Sequence, residues 1–275
     1  MNISEHITYF EQEMGRRNYS TKTIENYSGN LKKFFGQSTK DHPKNINETD
    51  IREFLGTFDE PNTQRAYHSA IKKFYLICLN QPNKFKYIPY AKKSNKLPIV
   101  LSVDEIQAMF NVCDNLKHRV ILGILYSCGL RVSELINLKW EHIDRSRMVI
   151  NILQAKGKKD RQVGLNEKLI ELLKKYWHQY QSITYVLNGQ SSTQYSERSV
   201  NEVIKHLALK AGIKKRVYTH LIRHCTFTHM VEMGTDINLI QRLAGHSNVK
   251  TTAIYCHTSH STISKIQSTL TAITI

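Results

Sequence analysis

Residues 120–135 read V-I-L-G-I-L-Y-S-C-G-L-R-V-S-E-L. The first nine are almost wholly apolar, yet fall far short of the roughly 20 residues that cross a bilayer. They predict a buried core helix. Gly129 follows as its C-terminal cap, since glycine enters the left-handed region at little steric cost. Arg131 stands two residues beyond the cap, between apolar segments, and is expected to be partly buried. A buried guanidinium needs an anionic partner. Two arrangements fit: an internal salt bridge to Glu134, or a bound phosphate with Glu134 supporting the arginine from behind.

Outward from this stretch the pattern stays helical. Upstream, S-V-D-E (residues 102–105) is a capping box that opens a helix. Downstream, M-V-I-N-I-L and R-Q-V-G-L flank Q-A-K-G-K-K-D, which predicts a β-hairpin with a lysine-rich tip. Helices are expected at 166–180 and 199–211, and three more from Thr219, Asp236 and Asn248. Residues 99–275 are thus expected to form a mainly helical domain with a small antiparallel sheet.

K-Y-I-P-Y-A-K-K-S-N-K-L-P, residues 86–98, carries two prolines and four lysines and reads as an exposed, mostly extended basic linker. The boundary is placed at residues 91–98. Before it, Ile24, Tyr27, Leu31, Phe34 and Phe35 share one helix face behind an N-cap at Ser20. Tyr67, Ala70, Ile71, Phe74 and Cys78 repeat the pattern. Further helices cover residues 3–14 and follow Thr49, so residues 1–90 predict a small all-α domain. The fold class is mainly α.

Charge narrows the function. Lys and Arg number 39 against 23 Asp and Glu, a net charge of +16. Counted along the chain, residues 1–97 hold 16 basic and 10 acidic side chains, so both halves share the excess. A solubilising surface is one reading; two modules facing one polyanion is the better one, and nucleic acid is the usual polyanion. Lys22, Lys32, Lys33, Arg65, Lys72 and Lys73 lie opposite the apolar helix faces, and Lys92, Lys93 and Lys96 lie in the linker. All nine are candidate phosphate contacts. Five cysteines without a C-x-x-C pair argue against a disulfide framework or a structural zinc. M-N-I-S-E-H-I lacks the basic and apolar regions of a secretory leader, so a cytoplasmic protein is expected.

Two further stretches hold polar groups that packing does not explain. T-H-L-I-R-H places His220 and Arg223 three residues apart on one helix face. His220 and His224 have metal-ligand spacing, but Leu221 stands where a zinc hydrolase would carry Glu and no third ligand follows, so no metal is expected. G-H-S-N-V-K-T-T-A-I-Y-C-H ends the series, with His246 after a glycine and Tyr255 nine residues later. Tyr255 is one of 14 tyrosines, most of which pack. A phenol of ordinary pKa about 10 attacks phosphate only when cations surround it and a base takes its proton. Two guanidiniums clamp the charge that develops on the phosphodiester, and a hairpin lysine can protonate the leaving hydroxyl.

Over nearly its whole length the chain resembles the tyrosine recombinases of the integrase type, and is most similar to the Xer group. The family's pattern falls on Arg131 in G-L-R-V-S-E, Lys156 in A-K-G-K-K-D-R, His220 and Arg223 in H-L-I-R-H, His246 in A-G-H-S, and Tyr255 in T-T-A-I-Y. S-T-K-T-I-E-N-Y-S-G-N-L-K-K-F resembles the family's core-binding domain. Departures are small: Cys225 where Ser or Thr is common, Ala244 where Leu is common, and Cys256 beside the tyrosine where Thr is frequent. Cys256 raises redox sensitivity, but a buried inert thiol is the expectation.

The resemblance implies a C-shaped clamp on duplex DNA with inverted half-sites, and no arm-binding module before residue 1. It implies Tyr255 as nucleophile, Arg131, Arg223 and His246 on the phosphate, Lys156 as general acid, His220 assisting proton transfer and Glu134 ordering Arg131. It implies strand exchange through a Holliday junction, without metal, cofactor or ATP. It also implies a homo-oligomer, a tetramer on synapsed DNA, whose C-terminal stripe Ile263, Ile266 and Leu270 docks on the neighbouring protomer or in cis. A second recombinase or an accessory protein is compatible with it, and no membrane is involved. Two alternatives share the motifs: a type IB-like topoisomerase, and a DNA-binding regulator that keeps the fold without cleavage.

Overall fold

Polar side chains at helix starts set the element boundaries. In the computed structural model, which describes residues 2–92, 99–153, 160–189, 194–246 and 248–258, Asn2, Ser20 and Asn47 accept from the amides of Glu5, Thr23 and Asp50. They open α1 (Ile3–Arg16), α2 (Thr21–Gln37) and α3 (Glu48–Gly56). Glu60 opens α4 (Pro61–Leu79), with proline in the first turn where its missing N–H is not needed. The chain divides into two compact units, Met1–Lys96 and Leu97–Ile275.

The first unit buries Phe10, Met14, Leu31, Phe34, Ile51, Ile71 and Phe74 among its four helices. Tyr75 joins them and donates its hydroxyl to the Pro43 carbonyl at 2.7 Å. The predicted linker differs over its first residues from the exposed, extended course its lysines and prolines predict. Just before it Pro82–Phe85 is a 3-10 turn, and Phe85 and, within the stretch, Ile88 are buried in the core. The Ile88 carbonyl meets His68 at 2.9 Å, and the Ala91 carbonyl accepts from Arg65 at 2.8 Å. Two apolar side chains therefore hold the first part of the basic stretch against the unit that precedes it. Lys93 and Lys96 lie outside the described residues.

The second unit runs α5 (Val103–Asn111), α6 (Leu116–Cys128), α7 (Val132–Ile136), β1 (Ile143–Asp144), β2 (Val149–Ile152), β3 (Arg161–Gly164), α8 (Glu167–Tyr180), α9 (Glu197–Lys210), α10 (Thr219–Glu232), α11 (Ile237–Ala244) and α12 (Val249–Thr258). The sheet is antiparallel in the order β1-β2-β3, with Ile152 opposite Arg161 and Val149 opposite Gly164. The predicted hairpin is β2–β3; its tip, with Lys156, lies outside the described residues. α6 is buried from Val120 to Leu125 and forms the centre of the core. It ends at Gly129, whose φ of +58° and lack of a Cβ are both used: a Cβ there would meet Phe227 Cζ at 2.7 Å. No helix among the described residues is long and apolar enough to cross a membrane.

Candidate active site

Three chain segments converge where α6, α10 and α11 end or begin. The α6 cap carries the chain directly into Arg131, the N-cap of α7. Glu134 reaches back within that first turn. Its Oε2 accepts from the Arg131 amide at 2.8 Å and its Oε1 from Arg131 Nη1 at 2.7 Å. Arg223 lies one turn into α10 and is 1 % exposed. Its Nη1 donates to the Gly129 carbonyl and its Nη2 to the Ala244 carbonyl at 2.5 Å, while its guanidinium carbon sits 4.9 Å above the Phe227 ring. Arg131 Nη2 donates to the same Ala244 carbonyl at 3.2 Å. Two cations thus meet at one carbonyl, at the negative end of the α11 dipole. Among the described residues no carboxylate forms an ion pair with Arg223. Burial first, then the charge of Arg131, holds its pKa down at about 10.

The histidines and the tyrosine form an aromatic layer beside this pair. His220 faces solvent, and its ring stands edge-on to His224 at 4.7 Å. His224 lies 5.5 Å from the Tyr255 ring, and His246 stacks on that ring at 6.1 Å with an interplanar angle of 18°. His246 Nδ1 meets Thr252 Oγ1 at 3.1 Å, which ties the Gly245 turn to α12. Burial is the largest cause for His224 and His246, both lowered to about 4, with the neighbouring histidines and arginines adding to it. His220, exposed in part, is lowered by the protein packed around it and then by the charges of Arg223 and Arg131. They are neutral near pH 7 and can accept a proton.

Tyr255 is 2 % exposed, packed with Phe227, Ile240 and Ala244. Burial raises its pKa; the charges of Arg223 and Arg131 oppose that and do not overcome it. The phenol is therefore protonated in this conformation. Cys256 is exposed, not buried as its sequence context suggests. With Tyr255 on the inward side of α12, the next residue points about 100° around the helix, into solvent. Cys225, by contrast, is buried, accepts from the Leu101 amide at 3.2 Å, and is pushed up to about 11 by burial.

Arg131, Glu134, His220, Arg223, His246 and Tyr255 are thus brought together. Lys156 lies outside the described residues. Sequence reasoning passed over Arg161, which opens β3 and binds Glu134 through two bonds of 2.7 Å. Strand alternation is the signal that could have found it: Arg161 and the buried Val163 share one face of β3. Burial on its own would raise the Glu134 carboxyl. The bonds and charge of Arg161, with the amide and guanidinium of Arg131, outweigh that and bring it down to about 2.

In the first unit several basic candidates are braced by aromatic rings. Lys33 lies over Phe58 and Tyr67, Arg65 and Lys72 over Tyr90, and Lys73 over Tyr19, whose hydroxyl it also meets. Lys32 is exposed, 4.0 Å from Glu11, and Lys22 and Lys92 are exposed. Among the described residues no group of three or more His, Cys, Asp or Glu is placed to hold a metal ion.

The chain is similar to known proteins along most of its length. Residues 100–262 match the phage integrase family, and residues 7–84 match its N-terminal SAM-like domain. Tyrosine recombinase XerD of Staphylococcus aureus is 31 % identical over 287 aligned positions, covering 96 % of each chain. Among solved structures, the XerH site-specific recombinase bound to a palindromic difH substrate superposes with a TM-score of 0.75 at 22 % identity, covering 90 % of this chain and 79 % of that one. A lambda integrase tetramer bound to a Holliday junction superposes with a TM-score of 0.79 at 15 % identity, covering 93 % and 77 %. The last two likenesses concern the fold.

Proposed function

The chain belongs to the phage integrase family and is a tyrosine site-specific recombinase; from that premise we propose that Tyr255 is the nucleophile that cuts and rejoins duplex DNA. The observation that carries the reading is the meeting of Arg131 and Arg223 at the Ala244 carbonyl beside the Tyr255 ring. A duplex cannot reach a phenol that is 2 % exposed, so α12 first turns Tyr255 toward the guanidiniums. The Tyr255 oxygen then bonds to phosphorus, the bond to the 5′-oxygen breaks, and a 3′-phosphotyrosyl ester remains. His220 receives the phenolic proton, and Lys156 gives one to the departing 5′-oxygen. Arg131, Arg223 and His246 hold the non-bridging oxygens as their charge grows. Glu134 orders Arg131. The 5′-hydroxyl of a partner duplex reverses these steps, and exchange proceeds through a Holliday junction with neither metal nor ATP.

Both units bind a duplex site with inverted half-sites, with the aromatic-braced cations of the first unit on phosphates. Four protomers assemble on two synapsed duplexes in the cytoplasm; the stripe Ile263, Ile266 and Leu270, which lies outside the described residues, docks on the neighbouring protomer or in cis. A second recombinase or an accessory protein can join them. Strand exchange between two duplexes with different end labels tests this. The substrate is the inverted-repeat sequence that the protein itself selects, by covalent capture, from a random pool. Duplexes carrying one label from each parent are expected. Relaxation of supercoils without exchange would instead indicate a type IB-like topoisomerase, and binding without cleavage a DNA-binding regulator.

A further inference from the structure

The C-terminal end of α11 leaves backbone carbonyls without helical partners, as every helix end does. Here guanidiniums fill the role: Arg161 Nε donates to the Leu243 carbonyl at 2.7 Å, and Arg131 and Arg223 donate to Ala244. Arg161 differs from the other two. Its side chain is 7 % exposed against 22 % for Arg131, and each of its three nitrogens donates to a protein acceptor. It is therefore poorly placed to touch a phosphate. Its stem also fills the space that Gly245 leaves, for a Cβ on Gly245 would come within 3.2 Å of Arg161 Cδ.

The charges explain what such a residue does. Glu134 carries one negative charge and contacts both Arg131 and Arg161, each at 2.7 Å. With both arginines present the three groups sum to one positive charge. Without Arg161, Glu134 would pair with Arg131 alone and cancel it.

We infer that Arg161 is a positioning residue for strand transfer: it occupies Glu134, so that the charge of Arg131 remains for the scissile phosphate, and it holds the end of α11 from which the His246 turn departs. This rests on the reading of Tyr255 as nucleophile.

The test compares covalent-adduct rates on two nicked duplexes of the selected site. One has an ordinary scissile phosphate. The other has a methylphosphonate there, whose neutral linkage demands one positive charge less. Arg161→Met is expected to lose about a hundredfold on the phosphate, and less than about tenfold on the methylphosphonate, since the charge that Arg131 would supply is no longer needed. Glu134→Gln/Arg161→Met, which removes the unbalanced carboxylate as well, is expected to recover about tenfold or more over the single variant. Arg161→Lys, retaining charge without the planar fork, falls between wild type and Arg161→Met. If Arg161→Met does not fold, the double variant and Arg161→Lys carry the comparison. Equal losses on both linkages, or a double variant no better than the single, would overturn the assignment. Wild type that forms no Tyr255-dependent adduct contradicts the nucleophile itself; wild-type activity retained in Arg161→Met contradicts only the role of Arg161.

Discussion

Replacing Glu134 by Gln removes one negative charge from between two guanidiniums while leaving the volume almost unchanged. Glu134 is 6 % exposed, and its carboxyl is held at about 2 against an ordinary 4.5. At about 1.4 kcal/mol per pH unit, that displacement corresponds to about 3 kcal/mol. An independent route gives a similar figure, because removing one member of a buried ion pair costs about 3–5 kcal/mol. The sign follows from proton binding. The folded carboxyl binds its proton more weakly than the unfolded one, so the stabilisation is complete above about pH 4.5 and is lost as the pH falls toward about 2. Urea unfolding of wild type and Glu134→Gln, followed by far-UV circular dichroism, reads both effects. The expected gap is about 3 kcal/mol near pH 7, narrowing below about pH 4.5. A gap below about 1 kcal/mol would mean that the pair behaves like an exposed one, and a gap that ignores pH would mean that ionisation of Glu134 is not its source.

Gly129→Ala places a methyl group against Phe227 in a left-handed backbone conformation. It should cost at least about 2 kcal/mol in stability, and it should slow adduct formation because Phe227 supports both Arg223 and Tyr255. A thermal midpoint unchanged from wild type would refute the close contact. In the first unit, Arg65→Ala and Lys72→Ala should each reduce the slope of log affinity for duplex DNA against log salt by about 0.9. Slopes identical to wild type would show that these side chains brace Tyr90 without meeting phosphate.

Much of this architecture is legible in residue order, and the exceptions have physical causes. Gly129 and the apolar run before it announce α6 and its left-handed cap. Arg131 stands out because a charge between apolar residues has few explanations, and Arg223 because it shares a helix face with His220. Arg161 does not stand out, since K-G-K-K-D-R looks like a solvated basic tip. Only its register opposite Ile152 turns it toward Glu134. β1 has two residues, too few for any alternation to register. The residues after Lys86 read as linker because their lysines and prolines outnumber the one buried isoleucine, Ile88, that holds them down. The burial of Tyr255 is legible least of all: a tyrosine that packs and one that reacts have the same local sequence, and here one side chain is assigned both states.

Covalent complexes formed on a nicked duplex of the selected site, digested and mapped by tandem mass spectrometry, identify the attached residue directly. One nucleotide-bearing peptide is expected, with the phosphoryl group on Tyr255 and a free 5′-hydroxyl on the released strand, and no adduct from Tyr255→Phe. Attachment at another residue, a 5′-linked phosphate, or an adduct that survives Tyr255→Phe would contradict the role of Tyr255 as nucleophile.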